Sequence, residues 1–486
     1  MISTEIRQKY LPSIGIECHV QLDTNTKLFS GAGNDARDVA PNTLVSPICF
    51  GLPGTLPVLN RRAVELAVKA GLALGCDIAE HSYFERKHYF YPDLPKGYQI
   101  SQLAAPTIGS GAVTIRLENG QEKSVRIHHA HIEEDAGKLT HPAGADFTLV
   151  DLNRAGTPLI EIVSEPDMHS PEDAKAYAQE LYLLMTYAGV TRGDLYHGNM
   201  RFDVNVSVSQ ESGSLGTRTE TKNLNSFKAV ERAVEFEINR QIELLEKGER
   251  IAQETRGWNE ARQATFSQRS KENAHDYRYF PDADLPPIYL SDEFVETIRL
   301  SMPKLPAEYR VVFEELELDI SVQTALLASR TSSDLVMRLH HSGDNAAARR
   351  VALWFTSAVV ERLDEDAKVS TNSRPIPDEY FAELSLMVEK DELSSTAAKE
   401  VFNDMLRTSA KPHDIAERKN LLQNSDEDDI AAIVEEVLAD PANAAVLDDI
   451  RGGNERAIGF LVGQIMKKTS GKANPALAQK LIRNKL

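Results

Sequence analysis

Residues 13–23 read SIGIECHVQLD, and their strict alternation sets how the fold begins. Ile14, Ile16, Cys18, Val20 and Leu22 fall on one side of an extended segment; Gly15, Glu17, His19, Gln21 and Asp23 fall on the other. Successive side chains of a strand leave opposite faces, so a period of two predicts a half-buried strand with its aliphatic face inward. Glu17 and His19 then project together from the polar face, close enough to share a cation. A solvated polar face is the plainer alternative for this segment alone. A second run, MRFDVNVSV at 200–208, repeats the pattern, with Met200, Phe202, Val204, Val206 and Val208 set against Arg201, Asp203, Asn205 and Ser207.

Between these runs lies HIEEDAGKL, where Glu133, Glu134 and Asp135 bunch before Gly137. Adjacent carboxylates repel unless something positive sits among them; the alternative is an exposed acidic turn. Glu220 shares its face with Arg218 and Lys222 in RTETKN, and Glu254 follows in QETR. Several carboxylates with one histidine suit a hard divalent cation such as magnesium, whereas zinc would want more His or Cys. No GxxxxGK[ST] loop and no GxGxxG after a strand occurs, so a nucleotide would bind outside the P-loop and Rossmann schemes. In ERKHYFYPDLPKGYQISQ at 85–102, Arg86, Lys87 and Lys96 can hold phosphate, and Tyr89, Phe90, Tyr91 and Tyr98 can stack; a core corner is the alternative.

Further out, helices are punctuated clearly. Ser170-Pro171-Glu172-Asp173 reads as a cap, a first-turn proline and acidic residues at the positive end of the dipole, with Gly189 closing the segment. Another helix starts near Ser226, with Phe227, Val230, Val234, Ile238, Ile242 and Leu245 on one stripe, and stops at Lys247-Gly248. After FPDADLPP at 280–287 the chain turns rich in Ala, Leu and Glu with helical periodicity. The expected organisation is α+β: an N-terminal mixed α/β cradle over 1–294, an all-α helical domain over 295–410 and a small helical tail over 411–486.

The 486 residues are 42% hydrophobic and 26% charged, which excludes wholesale disorder, and no apolar run reaches the ~18 residues of a membrane span. The N-terminus carries no basic stretch followed by an apolar block, so the expected location is cytoplasmic. Cys18, Cys49 and Cys76 form neither a disulfide framework nor a four-thiolate zinc site. A net charge of −19 argues against a surface that is nucleic-acid-binding throughout. Local charge differs: 424–450 holds nine acidic and no basic side chains, and 451–486 holds eight basic side chains against Glu455. Lys467, Lys468 and Lys472 cluster where an amphipathic stripe of Ile458, Leu461, Val462, Ile465 and Met466 ends.

GIECHVQL, PGTLPVLN, RKHYFYPDLPKGYQISQ, HIEEDAGKL, DLNRAGTPLIEIVSEPDM, ETKNLNSF, QETR, DYRYFPDADLPP and FLVGQIMKKTSGKANP follow one another over nearly the whole chain. Together they closely resemble the B subunit of the bacterial aspartyl/glutamyl-tRNA(Asn/Gln) amidotransferases. The resemblance implies an enzyme that uses ATP and Mg2+ to phosphorylate the side-chain carboxylate of Glu on tRNA(Gln) or Asp on tRNA(Asn). Ammonia from an amidase A subunit then displaces the phosphate, and a small C subunit completes the complex. It implies metal ligation by Glu17, His19, Glu134 and Glu254, with Asp203 and Glu220 at a second cation position. Lys87 and Glu134 would be catalytic, Arg86, Lys87, Tyr89 and Tyr91 would hold ATP phosphate, and Lys467, Lys468 and Lys472 would contact tRNA. Many relatives of this kind carry a CxC…CxxC zinc knuckle; Ser30-Gly31-Ala32 and Ser46-Pro47-Ile48-Cys49 stand here instead, so no structural zinc is expected and Cys49 reads as a small buried apolar residue.

Overall fold

The computed structural model describes residues 3–211, 213–270, 277–359, 376–423, 427–469 and 473–486. Around the Leu11–Gln21 strand grows an eight-stranded sheet. From one edge its order is Ala264–Ser270, Glu254–Asn259, Thr219–Leu224, Met200–Ser209, Leu11–Gln21, Pro158–Ser164, Glu122–Glu134 and Gly111–Arg116. The 219–224 and 254–259 strands pair in parallel and the other neighbours are antiparallel. Both alternating runs of the sequence are therefore adjacent central strands, with Glu17 opposite Asp203 and His19 opposite Arg201.

One face of the sheet is the core. Ile14, Ile16, Cys18 and Val20 are at most 1% exposed and join Val204, Val206, Ile160, Ile162 and Ile132. Helices Arg61–Ala73, Pro171–Tyr187 and Phe227–Glu246 supply the other half of that core through Leu66, Tyr177, Leu181, Val230, Val234 and Ile238. Each helix begins on a side-chain cap: Asn60 accepts from Arg62 N, Ser170 from Asp173 N and Ser226 from Ala229 N. Such caps satisfy amides that have no partner within the helix. Gly248, at φ +72°, ends the third as the sequence predicts, because a left-handed residue after a helix is cheap only without a Cβ. The other face of the sheet keeps its polar side chains. Beside it a small sheet of Phe280–Pro281, Glu85–His88 and Tyr98–Ser101 carries Lys87.

The chain divides into two units, residues 1–308 and 309–486. The first runs past 294 because helix Asp292–Leu300 packs Phe294, Val295 and Ile298 against the core of the sheet unit. Among its described residues the second unit is built of helices, with no strand. In its first part Phe402 meets Trp354 at 5.7 Å and Phe381 at 6.0 Å between ring centroids. Helix Pro412–Arg418 buries Ile415 and Ala416 beside the preceding helices, and Lys419 reaches Asp404 at 2.8 Å, so this part extends past 410. A separate core of Ile430, Val434, Val437, Ile458, Leu461, Ile465, Leu481 and Ile482 then ties helices Glu427–Ala439, Ile458–Lys468 and Pro475–Lys485 together. The predicted stripe at 458–466 is the inner face of the middle helix.

Candidate active site

Register builds the site. Across the polar face, His131, Glu161, His19 and Arg201 stand opposite one another on four neighbouring strands. Residues opposite each other in antiparallel strands point to the same face, so these side chains form one row. His19 Nε2 lies 3.3 Å from Glu161 Oε2 and 3.7 Å from Glu133 Oε1. His131 Nε2 lies 3.5 Å from Glu133 Oε2 and 3.6 Å from Glu161 Oε2. His19, Glu133 and Glu161 thus bring one nitrogen and two carboxylate oxygens within 4.8 Å of one another.

Charge is tightly coupled here. Burial works against a charged His19, but the hydrogen bond and charge of Glu161, with Glu133 and Asp203 behind it, outweigh burial and lift its pKa to about 9. Burial likewise favours a neutral Glu161; His19, His131 and Lys87 overcome it and hold the carboxyl well below the usual range. Lys87 stays charged against burial because Glu133, Tyr279 and Glu161 surround it. Its ammonium lies 5.1 Å from the ring centre of Tyr277. His19, Lys87, Tyr89, Glu133, Glu161 and Arg201 face a common cavity of about 250 Å³.

A second group lies on the same face. Glu17, Asp203 and Glu220 bring three carboxylate oxygens within 4.8 Å of one another. Asn205 donates to Glu17 Oε1 at 3.0 Å, and Thr255 donates to Glu220 Oε2 at 2.8 Å. Burial first, then the charges of Glu161 and Glu220, push the Glu17 carboxyl up. Lys222 Nζ bridges Asp203 at 2.6 Å and Glu220 at 3.1 Å. Both donor sets are rich in hard oxygen and contain no thiolate, so they fit Mg2+ or Mn2+ better than zinc.

Six of the expected residues are therefore assembled: Glu17, His19, Asp203, Glu220, Lys87 and Tyr89. Glu134 is not among them. Its neighbour Glu133 points to His19, so Glu134 leaves the strand on the opposite side. There it pairs with Lys96 and accepts from Ile100 N at 2.9 Å, with only 3% of its surface exposed. Glu254 also stands apart, held by Arg256 and by Ser267 Oγ at 2.5 Å. Arg86 is committed to Asp282 at 2.8 Å and Asp284 at 2.6 Å and stacks on Tyr98, turned from Lys87. Tyr91 is half exposed. Lys468 binds Glu436 at 2.5 Å, Lys467 closes the same helix, and Lys472 lies outside the described residues. Cys49 is buried but not purely apolar in its contacts, since the Lys27 ammonium donates to its sulfur at 3.4 Å. Sequence reading missed Glu161 as a site residue. Its signal was a lone carboxylate in the middle of the apolar strand PLIEIVS.

The polar face of this mixed sheet thus carries two oxygen-rich groups, one of which shares a cavity with a partly buried lysine, an arrangement suited to a catalytic domain. The family described as the GatB/GatE catalytic domain matches residues 12–296, and the GatB domain family matches residues 336–486. Proteins named as the B subunit of an aspartyl/glutamyl-tRNA(Asn/Gln) amidotransferase are similar over nearly their whole length. The one from Alcanivorax borkumensis is 46% identical over 97% of this chain and 98% of its own. That from Geotalea daltonii is 45% identical over 98% and 99%, and that from Trichodesmium erythraeum 43% over 99% and 98%. The chain belongs to this family of amidotransferase B subunits.

Proposed function

We propose that this chain amidates Glu on tRNA(Gln), Asp on tRNA(Asn), or both, through an acyl phosphate formed from ATP. The observation that carries this reading is the common cavity. Lys87, Arg201 and the His19, Glu133 and Glu161 group line it, and the Glu17, Asp203 and Glu220 group lies on the same face of the sheet, on a chain about as long as relatives named for this reaction. His19, Glu133 and Glu161 would hold one divalent cation, and Glu17, Asp203 and Glu220 a second. Bound there, Mg2+ would neutralise phosphate oxygens and so ease attack at phosphorus.

The remaining chemistry belongs to the side chains. Lys87 meets the transferring phosphoryl group with a fixed positive charge, and Arg201, opposite His19, faces the same space. An oxygen of the substrate carboxylate forms the new bond to phosphorus while the bond to ADP breaks. Ammonia then forms the C–N bond, the C–O bond breaks, and phosphate leaves with that oxygen. The departing phosphate is basic enough to take the proton lost from nitrogen, so the reaction demands no separate base. The ammonia would come from an amidase A subunit, with a small C subunit in the complex. The basic end around Lys467, Lys468 and Lys472 would contact tRNA phosphates. Among the described residues no helix is long and apolar enough to cross a membrane, and the proposed setting is the cytoplasm.

Glu-tRNA(Gln) carrying 18O in its side-chain carboxylate tests the mechanism in the reconstituted complex. One 18O should pass to inorganic phosphate for each amide formed. Phosphate free of label would reject the acyl phosphate, and tRNA binding without any phosphate release would leave the chain a noncatalytic scaffold.

A further inference from the structure

Lys222 occupies the oxygens that a cation at the Glu17 group would need. Glu220 and Lys222 are two apart on the 219–224 strand and share a face. The pairing of Asn205 with Glu220 and of Val204 with Thr221 on the neighbouring strand sets Asp203 beside Lys222, just before the register shifts at Phe202. The ammonium therefore spans Asp203 Oδ2 at 2.6 Å and Glu220 Oε1 at 3.1 Å, and its charge also acts on Glu17. The side chain of Lys222 is 37% exposed, against 11% for Asp203 and 13% for Glu220. Its stem reaches the carboxylates from the open side, and four rotatable bonds allow it to swing away.

We infer that Lys222 is a resident counter-ion that a divalent cation displaces, and that the displaced ammonium then takes up a phosphate of the nucleotide held beside that cation. The inference rests on the cation reading proposed above and adds an order of events to it. A dication and an ammonium cannot share these oxygens, so the cation alone binds against Lys222. Once phosphates are present, the ammonium has a new partner and the competition ends. Cation and nucleotide thus strengthen each other's binding, and by linkage the effect is equal in both directions.

The test is a Mn2+ titration of the full-length chain, followed by electron paramagnetic resonance, with and without ADP. Lys222→Met should bind Mn2+ alone about 5-fold or more tightly at one class of sites, the low end of ordinary coupling between sites. In that variant ADP should no longer tighten Mn2+ at that class. Lys222→Arg, which keeps the charge, should stay near wild type. Unchanged or weaker Mn2+ binding by a folded Lys222→Met chain, or an Arg variant that behaves like Met, overturns the inference. A measurement on the unmutated chain guards against a variant that does not fold. Acylation of Lys222 by an amine reagent, read by mass spectrometry, should rise when Mn2+ is added and fall when ADP follows. No rise overturns the inference as well. Glu220→Gln separates the two readings. If it removes a class of Mn2+ sites while Lys222 has no effect, only the displacement fails; if no class is lost, the cation reading fails and takes this inference with it.

Discussion

Consecutive residues of a strand face opposite ways, and Glu133 and Glu134 turn that rule into an experiment. Glu133→Gln removes an oxygen beside His19 and should lower ATP-dependent amidation about 10²-fold, with weakened Mn2+ binding. Glu134→Gln should leave Mn2+ affinity unchanged. It instead strands the buried Lys96, and removing one partner of a buried pair costs about 3–5 kcal/mol, visible as a lower urea midpoint. Lys87→Met should block amidation from glutamine and from ammonium alike if its charge serves phosphate; rescue by ammonium would move the defect to ammonia delivery. His19 supplies a pH dependence. Its pKa rises from the ordinary 6.5 to about 9 in the folded chain, so the proton it holds stabilises the cation-free protein. That contribution is complete below about pH 6.5 and is lost as pH climbs through about 9. In EDTA, the denaturant midpoint should fall across this window, and His19→Gln should flatten that part of the fall. Cation affinity at the same group should rise over the same range, because a ligating imidazole must give up its proton.

At the scale of elements, the strand holding Glu254 is fixed from below by a buried ionic cluster. Glu237, fully buried on the Phe227–Glu246 helix, meets Arg240 at 2.8 Å, Arg256 at 3.0 Å and Thr219 at 3.0 Å. Arg256 in turn holds Glu254. Glu237→Gln should destabilise the chain by up to about 3–5 kcal/mol in urea unfolding, since Arg240 loses its nearest carboxylate and Arg256 keeps only Glu254. The central strands were legible because alternation and a buried face go together in SIGIECHVQLD and MRFDVNVSV. The helix starts were legible from Ser170 and Ser226, whose caps need only local sequence. Which carboxylates meet was not legible, because register decides it. Glu161 reaches His19 only through the pairing of strands nearly 150 residues apart, and nothing local marks Glu133 over Glu134. Glu254 looked available because its sequence neighbours do not reveal the helix residue behind Arg256.

For the whole molecule, the core formed by 430–482 suggests where to cut. Helix Pro412–Arg418 belongs with the helices before it, so a chain ending at Gln423 removes the tail without opening a neighbour's core. Such a chain should keep its nucleotide and amidase binding and its rate at saturating tRNA, while the apparent KM for tRNA rises. The salt dependence of tRNA affinity should flatten by roughly one unit for each phosphate no longer held. Tail-less complexes that bind tRNA as tightly as intact ones across a salt series would deny the tail a recognition role. The position of the first strand in the sheet also shapes how the protein is born. It is made before its partners, for Ile16 N bonds to Ser164, 148 residues later, and Glu17 to Asn205, 188 residues later. Until those partners are synthesised, an aliphatic strand with two open edges waits in the nascent chain, at risk of pairing with the wrong neighbour. Synthesis order thus leaves the Glu17, Asp203 and Glu220 group incomplete until residue 220 has emerged, long after its first member was made.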